Sequence, residues 1–191
     1  MMETAEYFER ILGKYKRMFD IYRDYSIGGE RFSAYGYFSS YGEKYVFSKN
    51  INLWSIHSYE HVLFTEMEVC TRERLDQLQQ VITEYVEPQM VRKGKRYPEQ
   101  NHMYSYITFV ILCRQEPMPE IVRRIRHYKY EKGYLMNFRG HSEGHLICVD
   151  LENEKVYTNR AAANMKKMYS NLFSEKQDEK DEERDAFEQV N

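Results

Sequence analysis

The sequence has few cysteines, few prolines and no long hydrophobic run. Three cysteines and four prolines occur in 191 residues. The number of cysteines is odd, and none of them forms a C-x-x-C pair. This argues against a disulfide framework and against a cysteine-rich zinc site. The three are Cys70, Cys113 and Cys148. The longest apolar run, residues 106–112, is far shorter than the roughly 20 residues of a membrane-spanning helix. These absences predict a cytoplasmic protein in a reducing compartment that does not associate with a membrane.

Charge is balanced overall but divided unevenly along the chain. Lysine and arginine number 28 against 30 aspartates and glutamates, a net charge of −2. Residues 174–191 carry eight acidic and three basic residues, which predicts a charged, disordered tail. The preceding residues, 1–173, are predicted to form one domain with a small positive charge. The charged N-terminus has no apolar core, so no signal peptide is expected.

The hydrophobic pattern alternates between helical and strand periods. A stripe of apolar residues at spacings of three and four predicts a helix over Glu3–Tyr22. A second helix is expected from Thr71, and His102–Cys113 has the strongest strand character in the chain. The further predicted strands are Phe32–Phe38, Glu43–Leu53, His61–Met67, Tyr130–Phe138, Leu146–Leu151 and Lys155–Thr158, and the further helices are Glu120–Tyr128 and Arg160–Phe173. This order, α-β-β-β-α-β-α-β-β-β-α, predicts an α+β fold with a mostly antiparallel sheet flanked by helices.

Three segments carry a resemblance to a known family. They are EKYVFSKNINLW at Glu43–Trp54, EHVLF at Glu60–Phe64, and the glycine- and histidine-containing stretch Arg139–Arg160. The chain resembles, over most of its length, a family of uncharacterised bacterial and archaeal proteins. That family has no assigned activity, so the resemblance implies no catalytic or binding residue.

Two histidine pairs raise the hypothesis of a metal site. His57-Ser58-Tyr59-Glu60-His61 matches H-x-x-E-H, in which two histidines one helical turn apart bind zinc and the glutamate activates water. The spacing works only on a helix, because the same pair lies roughly 13 Å apart on a strand. The flanking residues favour strands and a bend. The metallopeptidase interpretation therefore competes with an ordinary hairpin corner that exposes its histidines.

A second H-x-x-x-H, His141 to His145, follows Arg139-Gly140 and has Glu143 within it. If both pairs met at one end of the sheet, they would form a site for a divalent metal such as zinc. Chance is the competing explanation, since the chain has six histidines. The candidate metal ligands are His57, Glu60, His61, His141 and His145.

The predicted order of elements also matches the core of restriction-type nucleases. Those enzymes hold Mg²⁺ with carboxylates on the second and third strands and a D/E-x-K element. The third strand here offers Glu60, Glu66 and Glu68, but none has a lysine two residues later. The D-x-K at Asp178–Lys180 lies in the tail. The order of elements therefore implies a similar topology, but it does not by itself predict a nuclease active site.

Basic residues interleaved with tyrosines form the other candidate site. Such residues can follow a nucleic-acid backbone and stack its bases, although an anionic protein partner or a solvated surface explains them equally well. The candidate partner-binding residues are Arg92, Lys93, Lys95, Arg96, Arg123, Arg124 and Arg126. No phosphate-binding loop, dinucleotide fingerprint or nucleophile elbow occurs. The leading hypothesis is a non-catalytic binding or accessory protein, and the alternative is an intact or degenerate enzyme on a nuclease-like sheet, with a metal-dependent hydrolase as one form of it.

Overall fold

The structure is a computed structural model, which describes residues 3–45 and 52–174. Its helices are α1 (Thr4–Tyr15), α2 (Arg72–Gln80) and α3 (Pro119–His127), with a last helix α4 over residues 166–174. Helix α2 continues directly into a π-helix, Val81–Val91, and a short 3₁₀ turn, Ala163–Met165, precedes α4. The strands are β1 (Asp20–Ile27), β2 (Glu30–Tyr45), β3 (Asn52–Met67), β4 (His102–Cys113), β5 (Glu131–Gly133), β6 (His141–Asp150) and β7 (Lys155–Thr158).

The seven strands form one mixed sheet. Its order is β1-β2-β3-β4-β6-β5, and β7 also pairs with β6. Strands β3, β4 and β6 run parallel, and the other four described pairings are antiparallel. Helices connect the parallel strands, as parallel pairing requires. The predicted α+β class, with a mostly antiparallel sheet and this order of elements, is confirmed.

A hydrophobic core covers each face of the sheet. On the first, called the α1 face, Tyr7 of α1 and Tyr169 of α4 pack over Val62, Val110 and Ile147. On the second, called the α2 face, α2, the π-helix and α3 pack over alternate residues of the same strands, among them Leu63, Phe109 and Cys148. Successive residues of a strand point to opposite faces, so each central strand supplies both cores. The predicted core positions of Cys113 and Cys148 are confirmed.

Local sequence explains several helix ends. The hydroxyl of Thr71 accepts a hydrogen bond from Arg74 N, which caps α2 at the point where the sequence predicts the helix to begin. Pro119 stands in the first turn of α3, where its missing N–H costs no hydrogen bond. Pro88 lies inside the π-helix. Proline clashes with the carbonyl four residues earlier in an α-helix, whereas the wider π-turn is compatible with it, so the helix continues past Pro88 to Val91.

Several predicted boundaries were wrong. The predicted helix Arg160–Phe173 begins as α4 only at residue 166, and the predicted strand Glu43–Leu53 lies partly outside the described residues. The helix over Glu3–Tyr22 ends at Tyr15, because the chain turns at residues 16–19 and enters β1 at Asp20. The predicted turn at Ser39–Gly42 lies within β2, which pairs with β3 over most of its length. The predicted strand Tyr130–Phe138 is reduced to β5, because the chain turns at Leu135, Met136 and Asn137 with positive φ angles.

Among the described residues no helix is long and apolar enough to cross a membrane. The predicted tail begins at Ser174, which is still helical, and residues 175–191 lie outside the described part of the chain. The D-x-K at Asp178–Lys180 therefore also lies outside the described residues.

Candidate functional site

A row of aromatic rings lies on the α2 face of the sheet. Strand alternation and the pairing of Tyr37 with His61 bring the rings of β2, β3 and β4 side by side. The Tyr35 hydroxyl lies 2.8 Å from Nδ1 of His61. Neighbouring ring centroids in the row are 5.5–6.3 Å apart. This row, called the ring row, consists of Tyr35, His61, Tyr37, Tyr59 and His102.

The basic loop, Arg92–Arg96, turns over the ring row. Lys93 and Gly94 take positive φ angles of 52° and 73°, which reverses the chain as the π-helix ends. Gly94 N donates to the carbonyl of Pro88 at 2.9 Å, and Arg92 N donates to that of Glu87 at 3.0 Å. The turn leaves Nζ of Lys93 5.6 Å from the centroid of the Tyr59 ring, within cation–π range.

A cavity of about 130 Å³ opens between the ring row and the basic loop. Rings line one wall and cationic side chains line the other, together with Glu99. Since Lys93 and Lys95 are exposed while Tyr59 and His61 are buried, the cavity has an aromatic floor and a positively charged rim. The residues that define this ring cavity are Tyr37, Tyr59, His61, Lys93, Lys95 and Glu99.

Glu99 connects the ring row to the basic loop. Its Oε1 accepts hydrogen bonds from the hydroxyl of Tyr59 and from Nδ1 of His57, the latter at 2.6 Å. Its Oε2 lies 3.8 Å from Nζ of Lys93. Burial alone would raise the pKa of Glu99, but the hydrogen bonds from Tyr59 and His57 outweigh burial and lower it. Glu99 is therefore ionised at neutral pH, and these hydrogen bonds fix the position of its carboxylate.

His61 is uncharged at neutral pH. Burial lowers its pKa to about 4, and the nearby positive charge of Lys93 acts in the same direction. This neutral imidazole packs against the rings of Tyr35 and Tyr37 and adds no charge to the floor of the cavity. Burial also lowers the pKa of His102, at the far end of the ring row.

Arg92 lines the cavity, but its side chain is paired with the buried carboxylate of Glu87. Its Nε donates to Oε1 of Glu87 at 2.6 Å, and Nζ of Lys132 lies 2.9 Å from Oε2 of the same carboxylate. The Tyr134 hydroxyl adds a third hydrogen bond at 3.0 Å. Glu87 is 2 % exposed, so these donors balance a buried charge. Arg96 instead extends outward, 5.2 Å from the centroid of the Tyr97 ring.

The sheet separates the predicted metal ligands. His57 and His61 lie on the α2 face, while Glu60 and His145 lie on the α1 face, and His141 begins β6 at the edge next to β5. The H-x-x-E-H stretch is part of β3 and not of a helix, so its two histidines do not have metal-ligand spacing. The described residues contain no cluster of three or more His, Cys, Asp or Glu side chains suited to a metal ion.

Glu60 and His145 take part in a polar row on the α1 face. Thr108 Oγ1 donates to Oε1 of Glu60 at 3.0 Å and lies 3.4 Å from Nδ1 of His145. Nε2 of His145 lies 3.7 Å from Glu143. Burial raises the pKa of Glu60 and lowers that of His145, so both groups are disposed toward their neutral forms. Thr108 itself is fully buried.

The structure has the order of elements of the nuclease core, but its described residues do not form the nuclease site. Helix α1, the antiparallel β1–β3, helix α2 and the parallel β4 follow the expected order. The carboxylate of Glu60 contacts Thr108, and that of Glu68 contacts Gln115 and Arg114. In the described part of the chain, the lysines that form ion pairs do so with other glutamates. No carboxylate–lysine set of the nuclease type is present there.

The two predicted basic groups lie over different strands. The basic loop covers the ring row of β2 and β3, whereas α3 contacts β6 and β7. Arg124 pairs with Asp76, and Arg123 and Arg124 line a shallow surface cavity of their own. Arg126 lines a third cavity. The basic residues that the sequence groups into one candidate site thus belong to separate sites.

Sequence reasoning missed three members of the ring cavity. Tyr37, Tyr59 and Glu99 drew no attention, because their significance depends on strand register and on the path of the chain between Gly94 and His102. The alternation of Tyr35 with Tyr37, facing Tyr59 and His61 on the next strand, was the available signal. It identifies one face only when the pairing of β2 with β3 is known.

Comparison with known proteins identifies the family but supplies no activity. No curated protein and no solved structure matches the chain. Residues 3–171 match the family described as "Domain of unknown function (DUF8052)", so the match spans α1 to α4 and every described strand. The chain belongs to this family, the domain of unknown function DUF8052.

Proposed function

We propose that this protein binds single-stranded nucleic acid at the ring cavity and the basic loop, without catalysing a reaction. The observation that carries the proposal is the position of Lys93 above the Tyr59 ring at the mouth of an aromatic cavity. Proteins that bind single strands combine a cationic groove for the backbone with aromatic rings on which bases stack. Both elements meet here within one site.

The charges around the cavity favour an anionic ligand. Arg92, Lys93, Lys95 and Lys132 surround the two carboxylates of Glu87 and Glu99, and Arg96 lies at the outer end of the loop. An excess of positive charge therefore remains after the internal pairs are counted. Lys95 and Arg96 have no ion-pair partner in the described part of the chain, so phosphates are expected to lie along them.

Exposed aromatic surface favours a nucleic acid over an acidic protein. Tyr41 is 63 % exposed, and its ring packs edge-on against His57, whose Nδ1 binds Glu99. The ring thus stands beside the cavity and is open for stacking. Stacking of a base on such a ring contributes about 1–3 kcal/mol. An acidic peptide would use the lysines and gain little from Tyr41.

The location that accompanies this proposal is the cytoplasm. Its support is the three free cysteines, all buried, which fit a reducing compartment. Nucleic-acid binding is compatible with that location.

Fluorescence anisotropy tests the proposal with labelled single-stranded RNA and DNA of about 12 nucleotides. The logarithm of the affinity should fall linearly with the logarithm of the salt concentration. The double variant Lys93→Ala/Lys95→Ala should reduce that slope by about 1.4, since each lost phosphate contact on a single strand contributes about 0.7. Tyr41→Ala should weaken binding about fivefold or more at an unchanged slope.

The matched control is Lys166→Ala/Lys167→Ala, which removes two exposed charges from α4 on the opposite face. It should leave affinity and slope close to those of the unmodified protein. Equal losses in both double variants would show that binding follows net charge alone and would contradict the proposed site. Tighter binding of an acidic peptide than of either oligonucleotide would indicate a protein partner.

A further inference from the structure

The outer edge of β6 is interrupted next to a second cavity. Strand β5 pairs with residues 141–143, and β7 pairs with residues 147–150. Between them Gly144 N donates to the carbonyl of Tyr130 at 2.9 Å, and the Asn159 side chain binds the backbone of Gly144 and Leu146. A cavity of about 550 Å³, called the edge cavity, opens at this interruption. This volume is within the usual range of small-molecule sites.

Two tyrosines and a glycine form the aromatic wall of the edge cavity. A Cβ on Gly144 would lie 2.8 Å from Cβ of Tyr130 and 3.2 Å from the Tyr128 ring, so only glycine lets these side chains pack against β6. The hydroxyl of Tyr128 is buried and has no hydrogen-bond partner among the described residues. An unpartnered buried hydroxyl is costly, and a ligand with a polar atom at this wall would satisfy it.

The cations of the edge cavity are only partly neutralised. Lys129 pairs with Glu131 at 3.2 Å, and Glu143 faces His145. Arg126 and Arg160 also line the cavity, and both are exposed without an ion-pair partner in the described ranges 3–45 and 52–174. Two guanidinium groups free for bidentate hydrogen bonding suit a phosphate.

We propose that the edge cavity binds a nucleoside monophosphate. Arg126 and Arg160 hold the phosphate, the base lies against Tyr128 and Tyr130, and the Tyr128 hydroxyl forms a hydrogen bond with a polar atom of the base. The proposal does not depend on the ring cavity, because the two cavities share no lining residue. The nucleotide would thus bind at a site separate from the proposed polymer-binding site.

Isothermal titration calorimetry of the full chain tests this proposal with four probes. Adenosine 5′-monophosphate and uridine 5′-monophosphate represent the ligand, and adenosine and inorganic phosphate represent its parts. At least one nucleotide should bind about tenfold or more tightly than either part alone, because the phosphate and the base contact different walls. Arg160→Ala and Arg126→Ala should each weaken that binding about tenfold.

Tyr128→Phe gives the most specific test. Loss of a hydroxyl that has no partner should leave the stability of the free protein unchanged or higher, while nucleotide binding weakens about fivefold. Tyr157→Phe is the matched control, since it removes a hydroxyl from the same face but outside the cavity. It should not change nucleotide affinity.

Three results would overturn the proposal. They are nucleotide binding no tighter than that of inorganic phosphate, an affinity unchanged by both Tyr128→Phe and Arg160→Ala, and loss of nucleotide binding in Lys93→Ala/Lys95→Ala. The last result would assign the nucleotide to the ring cavity. Failure of oligonucleotide binding, in contrast, would contradict the proposed function and leave the edge cavity unaffected.

Discussion

Asn159 pairs with Leu146 as a strand residue would, although it lies just beyond the end of β7. Asn159 N donates to the carbonyl of Leu146, and Leu146 N donates to Oδ1 of Asn159, both at 3.0 Å. Nδ2 of Asn159 donates to the carbonyls of Gly144 and Tyr128. Oδ1 also accepts from Ala162 N, which caps the turn before α4. One buried amide thus completes the edge of β6 between β5 and β7.

The first prediction concerns this amide. Asn159→Asp replaces a donor that faces two carbonyl oxygens with a buried acceptor, and it should lower the free energy of unfolding by about 3–5 kcal/mol. Urea denaturation measures the loss. Asn164→Asp, at an exposed position of the 3₁₀ turn, makes the same chemical change and should stay within about 0.5 kcal/mol. A loss below about 1 kcal/mol at Asn159 would contradict the bridging role.

The same residue shows what sequence could predict. The sequence predicts Asn159 as the N-cap of a helix that begins at Arg160, but α4 begins at residue 166, and Asn159 instead accepts a hydrogen bond from Ala162 N in the turn before it. The bridge to Leu146 could not be predicted, since it depends on β5 and β7 each covering only half of β6. A residue that closes a local turn can be recognised from the sequence, whereas a gap in the edge of a sheet depends on the tertiary structure.

The boundary between α1 and β1 illustrates the same limit in the fold. Phe19 continues the apolar stripe of α1, and in the structure it packs against the core of the α1 face together with Ile21 of β1. An apolar residue at this point can face the core from a helix or from the strand that begins at Asp20, so the apolar spacing does not show where the helix ends. His102–Cys113, in contrast, was predicted with its correct ends, because a long β-branched and aromatic run has no helical alternative.

The second prediction uses two glutamates with opposite pKa shifts, the buried Glu87 and the partly buried Glu60. For Glu87 burial would raise the pKa, but hydrogen bonds from Arg92, Lys132 and Tyr134 outweigh it and lower the pKa. Ionised Glu87 therefore stabilises the fold above the unfolded-state pKa of about 4.3, and the contribution is lost as the pH falls through the lower folded-state pKa. Glu87→Gln should cost about 2–3 kcal/mol at neutral pH, and less as the pH approaches 4.

Glu60→Gln is the opposite case. Burial raises the pKa of Glu60, so its folded form prefers the proton and its ionisation at neutral pH costs stability. A glutamine keeps an acceptor for Thr108 and removes the charge. The variant should be more stable than the unmodified protein at pH 7, and the gain should disappear as the pH falls toward 4. Urea denaturation across this range would contradict both assignments if the two variants changed stability in the same direction.

The third prediction is loss of stability in mild acid from His61. Its pKa falls from the ordinary 6.5 to about 4 in the folded protein, because it is buried. Between these values the unfolded chain binds a proton that the folded chain does not, so stability should fall as the pH drops from 6.5 to 4, by on the order of 3 kcal/mol in all. His61→Gln should reduce the pH dependence in this range. His127→Gln, at an exposed position, should leave it unchanged.

The last prediction concerns the turn between β5 and β6. Leu135, Met136 and Asn137 have φ angles of 50°, 53° and 68°, a left-handed conformation that costs a non-glycine residue about 1–2 kcal/mol. Two backbone hydrogen bonds hold the turn closed across its base: Tyr134 N donates to the carbonyl of Gly140 at 2.9 Å, and Arg139 N donates to the carbonyl of Tyr134 at 3.1 Å. The side chain of Met136 is 90 % exposed and adds little packing energy to offset this cost. Met136→Gly should therefore raise the free energy of unfolding by about 0.5–1 kcal/mol, because the relief of strain exceeds the entropy that glycine adds to the unfolded chain. Met136→Ala removes the same side chain without relieving the backbone, so it should show no gain. Equal stabilities of the two variants in urea would mean that the turn stores no strain at Met136.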